Sequence, residues 1–78
     1  MENSIVVRAS WDEEALVWVA TSEDVPGLVV EAANHDELMQ RLHSLIPILL
    51  EENDGYEGLS EVPLFVKQEQ MTRIRLRA

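Results

Sequence analysis

The chain has 78 residues, which is enough for one small domain with a single hydrophobic core. It contains no cysteine, so disulfides, thiolate metal sites and cysteine nucleophiles are excluded. Fifteen acidic and six basic residues give a formal net charge of −9, and four of the six bases lie in the last twelve positions. The rest of the chain is strongly acidic, which argues against general nucleic-acid binding and favours a basic protein partner. Solubility alone would also account for this charge.

The N-terminal sequence and the apolar runs predict a cytoplasmic protein. The first residues are acidic and lead directly into a strand-like run, which is unlike a signal peptide. The longest apolar stretch, residues 45–50, is far shorter than the roughly 20 residues that span a bilayer. So small a core also favours self-association, and we expect a homodimer.

The first part of the sequence predicts three strands. Ile5–Trp11 alternates apolar and polar residues, and Leu16–Thr21 is rich in β-branched and aromatic residues. The acidic connection at 12–15 predicts a hairpin between them. Pro26–Gly27 fits the central pair of a type II turn, because proline presets φ and glycine accepts a positive φ. A third strand, Leu28–Ala32, should therefore run back against the second.

A helix is predicted after the third strand. Asn34 is a suitable N-cap, and Glu37 three residues later fits a capping box. Apolar residues then recur at helical spacing and predict a stripe that covers one face of the sheet. The members of this stripe are Leu38, Leu42, Leu45, Ile46 and Leu49.

The second half of the chain contains a proline, a stop signal and strand patterns. Pro47 should kink the helix or divide it near 43–44, and the run 53–55 should end it. Val62–Gln68 predicts a fourth strand, and Arg73–Arg77 alternates basic with apolar residues as an additional edge strand or a frayed tail would. The predicted fold is α+β, with the order β-β-β-α-β, a mostly antiparallel sheet and one amphipathic helix on one face.

No residue pattern predicts catalysis, a metal or a cofactor. His35 and His43 lie eight positions apart without a third ligand. The acidic residues fall in turns and at helix ends, and the middle of the first strand offers Arg8 where a metal-dependent nuclease would need a carboxylate. We therefore predict that the protein is not an enzyme.

The two tryptophans bracket the first turn. Trp11 is in register with the inward residues of the first strand, which favours a core position. Trp18 shares its face with Leu16 and Ala20, and on a sheet face that the helix leaves uncovered it would anchor a partner. A half-buried tryptophan without that role is an equal alternative.

Four motifs in this order resemble the small prokaryotic family DUF1902. They are Val7–Asp12, Val17–Ala20, Ser22–Leu28 and Leu45–Asn53. That family is similar to the N-terminal domain of HicB antitoxins, with a strand that ends in Trp-Val, a Pro-Gly turn and a capped helix. The resemblance implies a fold likened to a truncated ribonuclease H fold without its catalytic acids. It also implies binding and neutralisation of a small basic toxin of the HicA type.

Full-length HicB antitoxins also contain a C-terminal DNA-binding segment, and the two helices that such a unit needs are missing after Val62. We therefore predict one HicB-like domain over residues 1–78, without direct DNA binding. The leading hypothesis is a protein-binding module, and the alternative is a nucleic-acid-associated module that uses Arg73, Arg75 and Arg77. The predicted partner-binding residues are Asp12, Glu13, Glu14, Trp18, Glu23 and Asp24.

Overall fold

The computed structural model of the protein describes residues 4–52, 56 and 60–77. Its elements follow the predicted order, and they are β1 (Ile5–Asp12), β2 (Val17–Thr21), β3 (Val29–Ala32), α1 (His35–Leu50) and β4 (Leu64–Glu69). The four strands form one sheet in the order β3-β2-β1-β4. β2 is antiparallel to both of its neighbours, whereas β4 is parallel to β1. The predicted α+β class is confirmed.

The core lies between α1 and one face of the sheet. Alternate residues of the strands point toward the helix, including Val7 and Ala9 of β1 and Ala20 of β2, and all three are fully buried. The helix contributes the buried residues Leu38, Leu42 and Ile46, and Leu45 and Leu49 pack beside them. The predicted helical stripe is therefore confirmed.

The start of α1 has the predicted cap. Asn34 is in an extended conformation, and its Oδ1 accepts a hydrogen bond from the Glu37 backbone N–H at 2.8 Å. The Glu37 carboxylate accepts a hydrogen bond from Arg41 Nε at 3.2 Å, one turn further along the helix, and not from the Asn34 N–H. The reciprocal bond of the predicted capping box is therefore not formed. The helix continues unbroken through Pro47 to Leu50, so the prediction that Pro47 divides it is wrong. Ile46 is buried just before the proline, and the partly buried Leu49 and Leu50 pack against the core after it. These contacts hold the helix on the sheet and offset the lost hydrogen bond.

Two connections of the sheet depend on positive φ angles. Gly27 has φ +85°, and the Leu28 N–H donates to the Val25 carbonyl at 3.1 Å, which confirms the type II turn. In the hairpin after β1, the Leu16 N–H donates to the Asp12 carbonyl at 2.8 Å, and Leu16 has φ +58°. Because the backbone of Leu16 is in the left-handed conformation, this residue belongs to the turn, and β2 begins at Val17, one residue later than predicted.

Beyond β4 the chain forms no further strand within the described residues 70–77, and each of these residues is exposed. Of the two alternatives for this segment, the additional strand is therefore not formed. The predicted helix stop at 53–55 lies outside the described residues. No helix in the parts of the chain that the structure describes has the length and apolar character needed to cross a membrane.

Candidate partner-binding surface

An acidic groove lies at the end of the sheet where β1 turns into β2. Its volume is about 510 Å³. Three carboxylates line it together with apolar side chains, and these residues are Asp12, Glu13, Glu14, Trp11, Val19 and Met71. Val19 is half-buried and lies on the sheet face that α1 leaves uncovered. The groove therefore combines negative charge with an apolar wall, which suits a basic side chain that has an aliphatic stem.

Local backbone chemistry presents the acidic residues of this groove. Asp12 Oδ1 accepts hydrogen bonds from the Glu14 and Ala15 N–H groups at 3.0 and 3.1 Å, and these bonds fix the turn. Asp12, Glu13 and Glu14 are all exposed. One oxygen of Asp12 is thus structural, while Glu13 and Glu14 project from a turn whose shape is fixed. The structure brings these three predicted partner-binding residues together.

The other two predicted acidic residues lie elsewhere. Asp24 Oδ2 accepts a hydrogen bond from the Val6 N–H at 2.8 Å, near the beginning of β1. From Val6 to Asp12 the strand extends about 20 Å, at roughly 3.3 Å per residue. Glu23 is exposed next to Asp24. The structure therefore places Glu23 and Asp24 far from the acidic groove, and it gives Asp24 a structural role.

Trp18 lies on the sheet face that α1 covers. It is half-buried against the core, paired in register with Trp11, and the two rings meet edge to face with centroids 5.4 Å apart and planes at 63°. Trp18 therefore does not lie on the uncovered face, and its half-buried position matches the alternative that the sequence left open. The register of β1 and β2 puts Trp18 on the same side as Ala9 and Ala20. Trp11 also faces inward as predicted, although it is only half-buried.

The uncovered face of the sheet has a mixed character. Val29 and Phe65 are exposed on its two edge strands, and Arg8 lies 4.0 Å from Glu69 in an exposed ion pair. Such a pair contributes little to stability, on the order of 0.2–1 kcal/mol. No sequence pattern identifies Val19 and Met71 as groove residues, because their proximity depends on how β2 and β4 pair with β1.

The candidate histidines do not meet at a site. His35 Nδ1 is hydrogen-bonded to Gln68 Oε1 of β4, and His43 is exposed on α1. Among the described residues, no group of three or more His, Asp or Glu side chains is arranged to hold a metal ion. Arg73, Arg75 and Arg77 are exposed in the segment after β4.

These features define a small α+β domain with a helix on one face of a mixed four-stranded sheet and an acidic groove at one end. The chain belongs to the family described as "Domain of unknown function (DUF1902)", whose model matches residues 4–78. It is also similar to the crystal structure of a hypothetical protein from the extremely thermophilic bacterium Thermus thermophilus. The two share 43% sequence identity with a TM-score of 0.67, over 95% of this chain and 100% of the other. No curated protein matches the chain.

Proposed function

We propose that this protein is a non-catalytic protein-binding module of the HicB-like type, which binds and neutralises a small basic toxin of the HicA type. The observation that carries this proposal is the acidic groove. Three carboxylates on a fixed turn surround apolar side chains there, in a chain of net charge −9. A basic protein would be attracted to such a surface over a distance set by the salt concentration.

The groove also suggests how a partner would be held. An arginine or lysine of the toxin would place its charge near Glu13 and Glu14, while its aliphatic stem lies on Val19 and Met71. Exposed charge pairs each contribute only about 0.2–1 kcal/mol, so the carboxylates would mainly set specificity and the rate of association. The affinity would come from the apolar contacts that surround them.

Binding to a purified, catalytically inactive HicA-type toxin tests the proposal, and a small basic protein encoded beside this gene is the first choice. The Glu13→Lys/Glu14→Lys variant should bind at least about tenfold more weakly than the wild type, because it reverses the charge of the groove. Binding of the wild type should also weaken as salt is raised from about 0.1 to 1 M. Isothermal titration calorimetry measures both effects.

A matched control separates the groove from overall charge. Glu51→Lys/Glu52→Lys changes the net charge by the same amount at exposed positions outside the acidic groove, and we expect it to bind nearly as tightly as the wild type. If both double variants lost the same amount of affinity for the toxin, binding would depend on the overall charge of the protein and not on the groove. No binding of the wild type at low salt would overturn the proposal.

The alternative function rests on Arg73, Arg75 and Arg77. These residues are exposed and alternate along one segment, so they could follow the phosphates of a nucleic acid. Under this alternative the protein binds RNA or DNA at low salt, and replacement of the three arginines by alanine abolishes that binding. Electrophoretic mobility shifts measure this, and the acidic body predicts that no complex forms.

A further inference from the structure

The segment after β4 exposes large apolar side chains. We call residues 70–77 the arm. Within it, Ile74 and Leu76 are 84% and 83% exposed, and Met71 is also exposed. The arm contains no Gly, Pro, Asn or Asp, the residues that favour a reversal of the chain. The arm therefore has no turn that would fold it back against β4 of the same chain.

The outer side of β4 is an open sheet edge. β4 is the last strand in the order β3-β2-β1-β4. The Ile5 N–H donates to the Pro63 carbonyl at 2.9 Å, so the backbone groups of the odd-numbered residues in this strand face β1. Those of Leu64, Val66 and Gln68 consequently face outward, and such a row of groups is a template for another strand.

An apolar groove runs beside this open edge, between β4 and the second half of α1. Its volume is about 640 Å³. The apolar side chains that line it include Leu42, Ile46, Leu50, Tyr56, Val62 and Leu64. Leu64 and Val66 point toward the helix side of the sheet, so a strand added at the edge would place every second side chain on that side. The side chain opposite Leu64 would lie beside this groove.

We propose that the arm pairs antiparallel with β4 of a second copy of this chain, and that the second copy's arm pairs with β4 of the first in the same way. The outward backbone groups of β4 belong to even-numbered residues, and by alternation so do those of the arm. Ile74 and Leu76 of one copy then lie on the helix side of the other, next to its apolar groove. Arg73, Arg75 and Arg77 lie on the uncovered face.

Charge and length both favour a second copy as the occupant. The arm contains three basic residues and no acidic one, whereas residues 1–66 contain two basic and fourteen acidic residues. The arm is therefore attracted to the body of another copy. Its eight residues extend about 26 Å at roughly 3.3 Å each, which is sufficient to cover the six residues of β4. A two-fold axis relates the two copies, so the open edge of β4 is paired in each of them.

Introduced cysteines test this pairing, because the chain has none of its own. Leu76→Cys is combined in turn with Val62→Cys, Leu64→Cys or Val66→Cys, and each protein is oxidised gently and analysed on non-reducing gels. We expect a covalent dimer for one of the three pairs, since a disulfide requires Cα atoms within about 7 Å. The pair that reacts identifies the register. Each single variant should remain uncrosslinked, because in the antiparallel arrangement like positions lie far apart.

The mass in solution provides a second readout. Sedimentation equilibrium of the wild type should give twice the 8.9 kDa of one chain. Ile74→Asp/Leu76→Asp should weaken self-association by about tenfold or more. Val29→Asp is the matched control, because it alters an exposed apolar residue on the opposite edge strand, and it should leave the dimer unchanged. A monomeric wild type, or a dimer that survives the double arm variant without crosslinking in any pair, would overturn the proposal.

Discussion

The Asp24 carboxylate is hydrogen-bonded to the backbone N–H of Val6 across eighteen positions of sequence, at 2.8 Å. Ser22 completes this connection, because its Oγ donates to the Val6 carbonyl at 2.6 Å and accepts from the Asp24 N–H at 3.1 Å. The backbone pairing of β1 with β2 extends only to Arg8 and Thr21. The side chains of Ser22 and Asp24 therefore form hydrogen bonds with the backbone of Val6, which lies in the part of β1 that does not pair with β2.

Asp24→Ala should lower the free energy of unfolding by about 1 kcal/mol, since it removes a charge-assisted hydrogen bond that is partly exposed to water. Asp24→Asn keeps an acceptor oxygen and should lose less. Glu23→Ala is the control, and it should change stability little because that side chain is exposed. Urea denaturation followed by circular dichroism measures all three. Equal stability of Asp24→Ala and Glu23→Ala would show that the bond contributes nothing.

Asn34→Ala should destabilise the protein by about 1 kcal/mol, because the Glu37 N–H would lose the side chain that caps it. Asn34→Asp retains the acceptor and adds a negative charge at the positive end of the helix dipole, so it should preserve or raise stability. Thermal unfolding of the three proteins under identical conditions makes the comparison. A stable Asn34→Ala variant would contradict the capping role.

Leu16→Gly should be more stable than Leu16→Ala by about 1 kcal/mol. Both substitutions remove a side chain that is 63% exposed, but only glycine adopts the observed φ of +58° without steric cost. The alanine variant is thus the control for loss of the side chain. Their midpoints in urea give the difference. If alanine were equal to glycine, the positive φ would cost the fold nothing.

Trp18→Ala should lower the free energy of unfolding by about 2–3 kcal/mol, because Trp18 packs against the core and against Trp11. The double variant with Trp11→Ala should be less unstable than the sum of the singles, by about 0.5–1.5 kcal/mol for the edge-to-face contact. Chemical denaturation of the four proteins provides this cycle. Strict additivity would mean that the rings do not stabilise one another.

Features that depend on neighbouring residues could be predicted from the sequence. The cap at Asn34, the turn at Pro26–Gly27 and the helical stripe depend on positions a few residues apart. Alternation also predicts β1, the β-branched and aromatic residues predict β2, and the turn before it predicts β3. A single pattern in one segment was sufficient for each of these.

The arrangement of the site was harder to predict, because it depends on register between distant segments. Trp18 could be assigned to a face only once β1, β2 and the position of α1 were known. Glu13 and Glu23 are both acidic turn residues in the sequence, yet they lie at opposite ends of β1 and β2. Met71 joins the acidic groove because β4 runs parallel to β1 and ends opposite Ser10, so the residues after β4 lie beside the end of β1.

The parallel pairing of β4 with β1 also determines when the sheet is completed during synthesis. β1 is made first and gains β2 early, but its other side is filled only by β4, with Ile5 opposite Leu64. Until β4 pairs with it, this central strand of the sheet is left with an open side, and contacts so distant in sequence form slowly. Chains in which β4 has not yet paired with β1 are therefore the most prone to aggregate.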